Sequence, residues 1–293
     1  MTQNLPDDMR TRTIGVVGAG TMGSGIAQVA AQSGFEVVLV DQAEAWLDQG
    51  LGAITGALDK LVAREKIDGG ERDAILARIE GLTNIGHLGS CDLVIEAVTE
   101  SFATKAEVFA EVADVTGMET IIASNTSSIS ISAIAAVVPE PGRVVGMHFF
   151  NPVPVLPLVE VVRGLETSDE TVDAISDVAR QMGKTPVEVA DAPGFVANRL
   201  LIPMINEAVY CLDEGVATAE DIDQVMKLGA SHPLGPLALG DLIGLDVCLS
   251  IMDVLHRDFG DDKYRPAPLL RRMVAAGRLG RKTRRGFHAY DGK

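Results

Sequence analysis

The chain is poor in cysteine, in aromatic residues and in positive charge. Three cysteines, Cys91, Cys211 and Cys248, form no CxxC pair and cannot all be bridged to one another, so a disulfide framework is excluded and reduced, inert thiols are expected. Lys and Arg number 25 against 41 Asp and Glu, a net charge of −16. That balance argues against nucleic acid or an anionic membrane as partner, because both need a cationic footprint. No uninterrupted apolar run reaches the roughly 18 residues that a membrane span requires. The opening MTQNLPDDMRTRT is polar and carries no apolar core of a secretory signal. A soluble protein of a reducing cytoplasm is the expectation.

What is present suits a folded chain: 47% hydrophobic and 23% charged residues, over 293 positions, enough for one large domain or two ordinary ones. From Thr13, short β-branched runs alternate with helical patterns. Residues 13–17 (TIGVV), 37–40, 92–98 (DLVIEAV), 120–123 and 144–149 read as strands buried on both faces. Helices are expected over 21–32, 43–66, 71–79, 105–113 and 129–137. Buried strands separated by helices predict an α/β, Rossmann-type doubly wound parallel sheet. After His148 the prolines at 152, 154 and 157 demand an extended connection. Strands at 158–162 and 185–191 should then flank a helix near 169–182. Beyond Pro193-Gly194 only helical periodicity is found, including one long pattern over 241–260 and a helix that Pro203 should kink. Two domains follow, 1–192 and 193–293, the second all-helical and apolar enough to call for dimerisation.

Gly18-Ala19-Gly20-Thr21-Met22-Gly23 fits GxGxxG. Chance alone would produce that spacing about 0.3 times in a chain so rich in glycine, so its setting decides: it ends a strand and opens a helix. Gly18 permits the turn, Gly20 admits a pyrophosphate, and Gly23 lets helix and strand pack closely. Asp41, at the end of the second strand, stands where a carboxylate accepts bonds from ribose hydroxyls. A dinucleotide site is expected, and no metal.

Five histidines occur. His87, His232, His256 and His288 read as solvated or structural. His148 ends a buried strand on the ligand-binding edge of the sheet. Glu160, in the apolar run LVEVV, needs a partner, since an unpaired buried charge is costly. Spacing makes His148 a candidate, as a base oriented by a carboxylate; a surface-turned Glu160 is the alternative. The polar run Ser124–Ser128 can cap the next helix or bind a ligand. Asn198, in PGFVANR, is equally open between a helix start and a ligand contact.

Taken together, SNTSS (124–128), HFFNPVPV (148–155), LVEVV (158–162), DAPGFVANRLL (191–201) and GRKTRRGF (280–287) resemble the L-3-hydroxyacyl-CoA dehydrogenase family over nearly the whole chain. The resemblance implies NAD as cofactor, a short acyl-CoA thioester as substrate and a homodimer formed through the helical domain. It implies His148 as general base, Glu160 as its orienting carboxylate, and Ser127 and Asn198 as hydrogen-bonding groups around the substrate oxygens. Glu100, Lys105, Asn151 and Lys282 would line the dinucleotide. Lys60 and Arg64, four apart in ALDKLVAREK, would hold the phosphates of coenzyme A. Two departures stand in the tail, where Arg284 replaces a glycine and His288 a tyrosine. A third is Ala57, where relatives offer a serine to coenzyme A. The arginine-rich stretch 271–285 lacks interleaved aromatics and reads as a solvated helix end with subunit contacts. The competing readings are a dehydrogenase of a free β-hydroxy acid, which would need a cationic clamp on the carboxylate, and a non-catalytic NAD-binding redox sensor, which would need no base.

Overall fold

Short β-branched runs build one eight-stranded sheet in the computed structural model, which describes residues 11–290. Most of the polar opening, residues 1–10, lies outside the described residues. The strands are β1 (Thr13–Val17), β2 (Glu36–Val40), β3 (Ile79–Leu82), β4 (Leu93–Glu96), β5 (Ile121–Ser124), β6 (Val144–Phe149), β7 (Leu158–Arg163) and β8 (Thr185–Ala190). They lie in the order β3-β2-β1-β4-β5-β6-β7-β8. The first six are parallel, β7 is antiparallel to β6, and β8 runs with β7. This is the doubly wound arrangement expected, with the order reversing between β1 and β4. Ligands of such sheets bind beyond the carboxyl ends of the strands at that reversal.

Helices α1 (Thr21–Gln32), α2 (Glu44–Ala63), α3 (Gly69–Ala77), α4 (Phe102–Val115), α5 (Ile131–Ala135) and α6 (Asp169–Gln181) alternate with the strands. Ile26 and Ala27 of α1, Leu47, Ile54 and Leu58 of α2, and Val172 and Ile175 of α6 join Val16, Leu39, Ile95, Val145 and Val161 in one core. Each such side chain contributes about 1.5–3 kcal/mol of burial. β3 departs from the sequence reading, in which residues 71–79 form one helix. α3 stops at Ala77, and Ile79 begins a strand whose sequence, IEGL, is too short and too poor in β-branched residues to announce itself. Its pairing with β2 decides the matter, Val37 lying opposite Ile79 and Val40 opposite Leu82.

The chain divides into two compact units, the first ending at Asp191 and the second beginning at Ala192. The second contains α7 (Ala197–Asp213), α8 (Ala219–Gly229), α9 (Pro236–Ile243), α10 (Leu245–Phe259) and α11 (Pro268–Ala275). Ile205, Val209, Leu237, Leu245, Met252, Leu255 and Leu270 form its core. Pro203 stands inside α7. The expected single helix over 241–260 is two: Gly244, at φ 108°, adopts backbone that ordinary side chains avoid and separates α9 from α10. Among the described residues no helix is long and apolar enough to cross a membrane. All three cysteines are free. Burial pushes the thiols of Cys91 and Cys248 up, to about 11 and about 12, which suppresses thiolate chemistry.

Candidate active site

The glycine loop joins β1 to α1 at the point where the strand order reverses. Gly18 has φ 103°, and a Cβ there would come 2.7 Å from the carbonyl oxygen of Ala97 in the loop after β4. A Cβ on Gly23 would lie 1.7 Å from the carbonyl of Gly18, so only glycine lets α1 approach its own turn. Gly20 is different: a Cβ there would meet nothing within 4 Å. The two outer glycines are therefore required by the protein, whereas the space over Gly20 is open to a ligand. Ala19 donates its N–H to Asp41 Oδ2 at 2.8 Å, tying the loop to the end of β2. Thr21, Met22 and Gly23 open α1, where unpaired N–H groups and the helix dipole favour an anionic phosphate. The loop fits a dinucleotide.

His148 and Glu160 face each other across β6 and β7, directly opposite in the antiparallel register. His148 Nδ1 lies 2.8 Å from Glu160 Oε2, and both residues are buried, at 6% and 2% exposure. A carboxylate accepts, so Nδ1 carries the proton in this hydrogen bond and Nε2 is the nitrogen able to take another. The expected pair is present. The Phe150 ring packs against the imidazole with centroids 4.5 Å apart. Asn125, which sequence reasoning left within a polar run, accepts the N–H of Phe149 at 2.9 Å and so ties the end of β5 to the end of β6 beside His148. Asn151 follows in the exposed turn before β7.

The run Ser124–Ser128 does not itself cap α5; Ser130 does, accepting the N–H of Ala133. The run is instead wrapped around one carboxylate. Glu100 Oε1 accepts from Thr126 Oγ1 at 2.7 Å, from Ser127 N and Oγ at 2.9 and 3.1 Å, and from Ser128 N and Oγ at 3.1 Å each. Burial alone would push the Glu100 carboxyl up, but the Lys105 ammonium and the bonds from Thr126 and Ser127 outweigh it and hold the group below its ordinary value. Lys105, expected to line a dinucleotide, is 1% exposed, with Nζ 2.7 Å from Glu96 Oε1 and 3.4 Å from Glu100 Oε2. Its ammonium is paired with both carboxylates. Glu96, at the end of β4, carried no signal in the sequence beyond being a carboxylate in a buried strand.

Asn198 lies in the first turn of α7, 9% exposed, and is not the residue that begins the helix. The motif around it has a structural logic. Asp191 Oδ2 accepts from Ser130 Oγ, Ser132 N and Ser132 Oγ at 2.7–2.8 Å, pinning the end of β8 to α5. Gly194 and Phe195 both have positive φ, 73° and 51°, in the turn that opens the second unit. Arg199 stacks its guanidinium 4.5 Å from the Phe259 ring centroid. Lys282 pairs with Asp246 of α10 at 2.6 Å. His288 is structural, as expected: its ring Nε2 lies 2.8 Å from Asp223 Oδ2 and its N–H bonds Asp241. On α2, Lys60 is exposed, and Arg64 stands exposed just past the helix end. Their acidic neighbour Asp59 is bound by Arg72 at 2.8 Å, and neither cation makes an ion pair among the described residues.

The chain matches two family models, 3-hydroxyacyl-CoA dehydrogenase, NAD binding domain, over residues 13–192, and 3-hydroxyacyl-CoA dehydrogenase, C-terminal domain, over residues 194–290. It is 53% identical over 276 residues to a Deinococcus radiodurans protein named "Probable 3-hydroxybutyryl-CoA dehydrogenase", covering 94% of this chain and 99% of that one. It is 49% identical to the 3-hydroxybutyryl-CoA dehydrogenase of Bradyrhizobium diazoefficiens, covering 96% of each. The crystal structure of (S)-3-hydroxybutyryl-CoA dehydrogenase from Ralstonia eutropha superposes with a TM-score of 0.93 at 52% identity, covering 96% of this chain and all of that one.

Proposed function

The chain belongs to the 3-hydroxyacyl-CoA dehydrogenase family, and from that membership we propose that it interconverts L-3-hydroxyacyl-CoA and 3-oxoacyl-CoA, with 3-hydroxybutyryl-CoA as substrate. NAD is its cofactor and, when bound, supplies the acceptor for the hydride leaving C3. The observation that carries the assignment is the buried His148–Glu160 pair, in the same unit as a phosphate loop with open space at Gly20.

In the oxidative direction His148 Nε2 takes the proton of the substrate hydroxyl. Glu160, 2.8 Å from Nδ1, holds the ring in the required tautomer and stabilises the imidazolium that forms. In reduction the same imidazolium returns the proton. Ser127 and Asn198 donate to the substrate oxygens. Asp41 accepts from the adenine ribose, residues Gly18 to Gly23 receive the pyrophosphate, and Glu100, Lys105, Asn151 and Lys282 bind the remainder of the dinucleotide. Lys60 and Arg64 hold the phosphates of coenzyme A, which their freedom from ion pairs supports. Positioning of both reactants supplies much of the acceleration, and proton transfer about 10²–10⁴-fold.

The first unit is the NAD-binding domain, and the helical unit serves substrate binding and homodimerisation. Leu200 of α7, with Val225 and Leu228 of α8, are 69%, 65% and 76% exposed, an apolar surface that a second copy would cover. Free cysteines suit a reducing cytoplasm. NADH consumption with acetoacetyl-CoA, compared with free acetoacetate, tests the proposal. Turnover of the thioester is expected, and activity on the free acid alone would overturn the coenzyme A assignment.

A further inference from the structure

Beneath the Ser127 loop lies a chain of buried polar groups. Glu96 and Ser124 are in-register partners at the ends of β4 and β5, and Ser124 Oγ donates to Glu96 Oε2 at 2.7 Å. Glu96 Oε1 accepts from Lys105 Nζ and from Val98 N, both at 2.7 Å. Glu96, Lys105, Ser124 and Thr126 are each 0–1% exposed. Lys105 Nζ also reaches the carbonyl of Val98, and it faces Glu100 at 3.4 Å. A buried ion pair is a poor source of stability, because desolvating both charges offsets most of their attraction. Apolar side chains of the same volume would fill the space equally well. What apolar residues could not do is hold the Glu100 carboxylate where five donors of Thr126, Ser127 and Ser128 converge on a single oxygen.

We infer that Glu96 and Lys105 are positioning residues: Glu96 fixes the Lys105 ammonium, Lys105 holds Glu100, and Glu100 sets the place of the Ser127 hydroxyl. The inference rests on the role given to Ser127 in the proposed function. Its chemistry has a sign. The ionised Oε1 accepts all five bonds, whereas protonation, even on Oε2, removes the charge that strengthens them and so loosens the loop. Glu100 faces Lys105 from α4 and the hydroxyls of Thr126, Ser127 and Ser128 from the loop after β5, with Glu96 behind the lysine. Removing the lysine leaves desolvation to act without an opposing cation. An opposite charge at this range is worth about 1–3 pH units, so protonation of Glu100 should move upward by that amount.

Lys105→Met alone would strand Glu96 as a buried charge, and Glu96→Gln with Lys105→Met removes both charges at nearly constant volume. The assay is the pH profile of turnover for acetoacetyl-CoA reduction, in which the proton required on His148 is lost on the alkaline side, so that an acid-side loss belongs to another group. In the double variant the acid-side loss should begin at higher pH than in the native enzyme, by less than the roughly 1–3 pH units of a lone opposite charge, because the more distant Glu96 charge is removed with the nearer ammonium. Adding Glu100→Gln, which cannot titrate, should abolish that limb. Amide exchange at Ser127 and Ser128 should accelerate over the same pH range. A native profile and native exchange in the double variant, or an acid limb that survives Glu100→Gln, would overturn the inference. Ser127→Ala separates the two readings. If it turns over like the native enzyme, the role of Ser127 is wrong and this inference falls with it; if it is slowed while the double variant keeps the native profile, this inference alone fails.

Discussion

Asp41 makes one bond in the structure and takes a second task under the proposed function, and substitution can separate them. Its Oδ2 accepts the N–H of Ala19 at 2.8 Å, which ties the phosphate loop to β2. Under the proposed function its other oxygen accepts from the 2′- and 3′-hydroxyls of the adenine ribose. Asp41→Asn keeps an acceptor for Ala19 but removes the charge and turns the second acceptor into a donor. Asp41→Ala removes both. A hydrogen bond to a charged group contributes about 1.5–3 kcal/mol, and about 1.4 kcal/mol is tenfold in affinity. Losing the ribose bonds should weaken NADH about 10- to 100-fold in either variant, and losing the loop bond should weaken it further only in Asp41→Ala. NADPH should respond differently, since its 2′-phosphate no longer meets a like charge. The native preference for NADH, expected to be at least about tenfold, should approach parity in Asp41→Asn, and Gln42→Arg should carry it further. Trp46, the sole tryptophan and 56% exposed, stands five residues beyond Asp41 and can report binding through energy transfer to NADH. Specificity constants with one acyl-CoA complete the comparison. Equal native constants for the two cofactors would refute the reasoning. So would undiminished NADH affinity in Asp41→Asn, which would leave Asp41 serving the loop alone.

His148→Gln should lower turnover at least about 10²-fold with NADH binding nearly unchanged, because proton transfer loses its base; a folded variant with native turnover would contradict the mechanism. Glu160→Gln should also be severe, through loss of the charge facing Nδ1. Lys60→Ala with Arg64→Ala should raise the KM for acetoacetyl-CoA and leave turnover little changed, since distant phosphate contacts are equal in ground and transition states. A pantetheine thioester without the nucleotide should be insensitive, and an equal response would refute the phosphate assignment. Arg284 has φ 58° and ψ 8°, a left-handed conformation that costs an ordinary residue about 1–2 kcal/mol. After the greater freedom of glycine in the unfolded chain, Arg284→Gly should stabilise by up to about 1 kcal/mol and raise Tm by about 2 °C. An unchanged or lower Tm would show that the arginine side chain compensates for its backbone.

Local chemistry made much of this protein readable from the order of its residues. Parallel strands are buried on both faces and must therefore be continuous apolar runs, so β1, β2, β4, β5 and β6 declare themselves. A glycine loop is legible because its constraints are steric and act within six residues: the same backbone that leaves Gly20 open forbids any side chain on Gly23. His148 and Glu160 were readable for a related reason. A short proline-rich return between two adjacent strands leaves few registers, and a carboxylate in an apolar strand needs a partner.

Tertiary packing decided what composition could not. β3 exists because β2 offers an open edge, and IEGL has too little propensity of its own to predict it. The break at Gly244 is a matter of φ, which a glycine permits but does not require. Lys105 had no signal of its own in the sequence, and only the resemblance assigned it a place, at the dinucleotide. Only the folded chain brings it to Glu96, nine residues away, and brings Glu96 to Ser124, 28 residues away. Charges act through space and fall off with distance, not with separation along the chain. Residue order therefore identified which groups could do chemistry, while the fold determined which charges stand beside them.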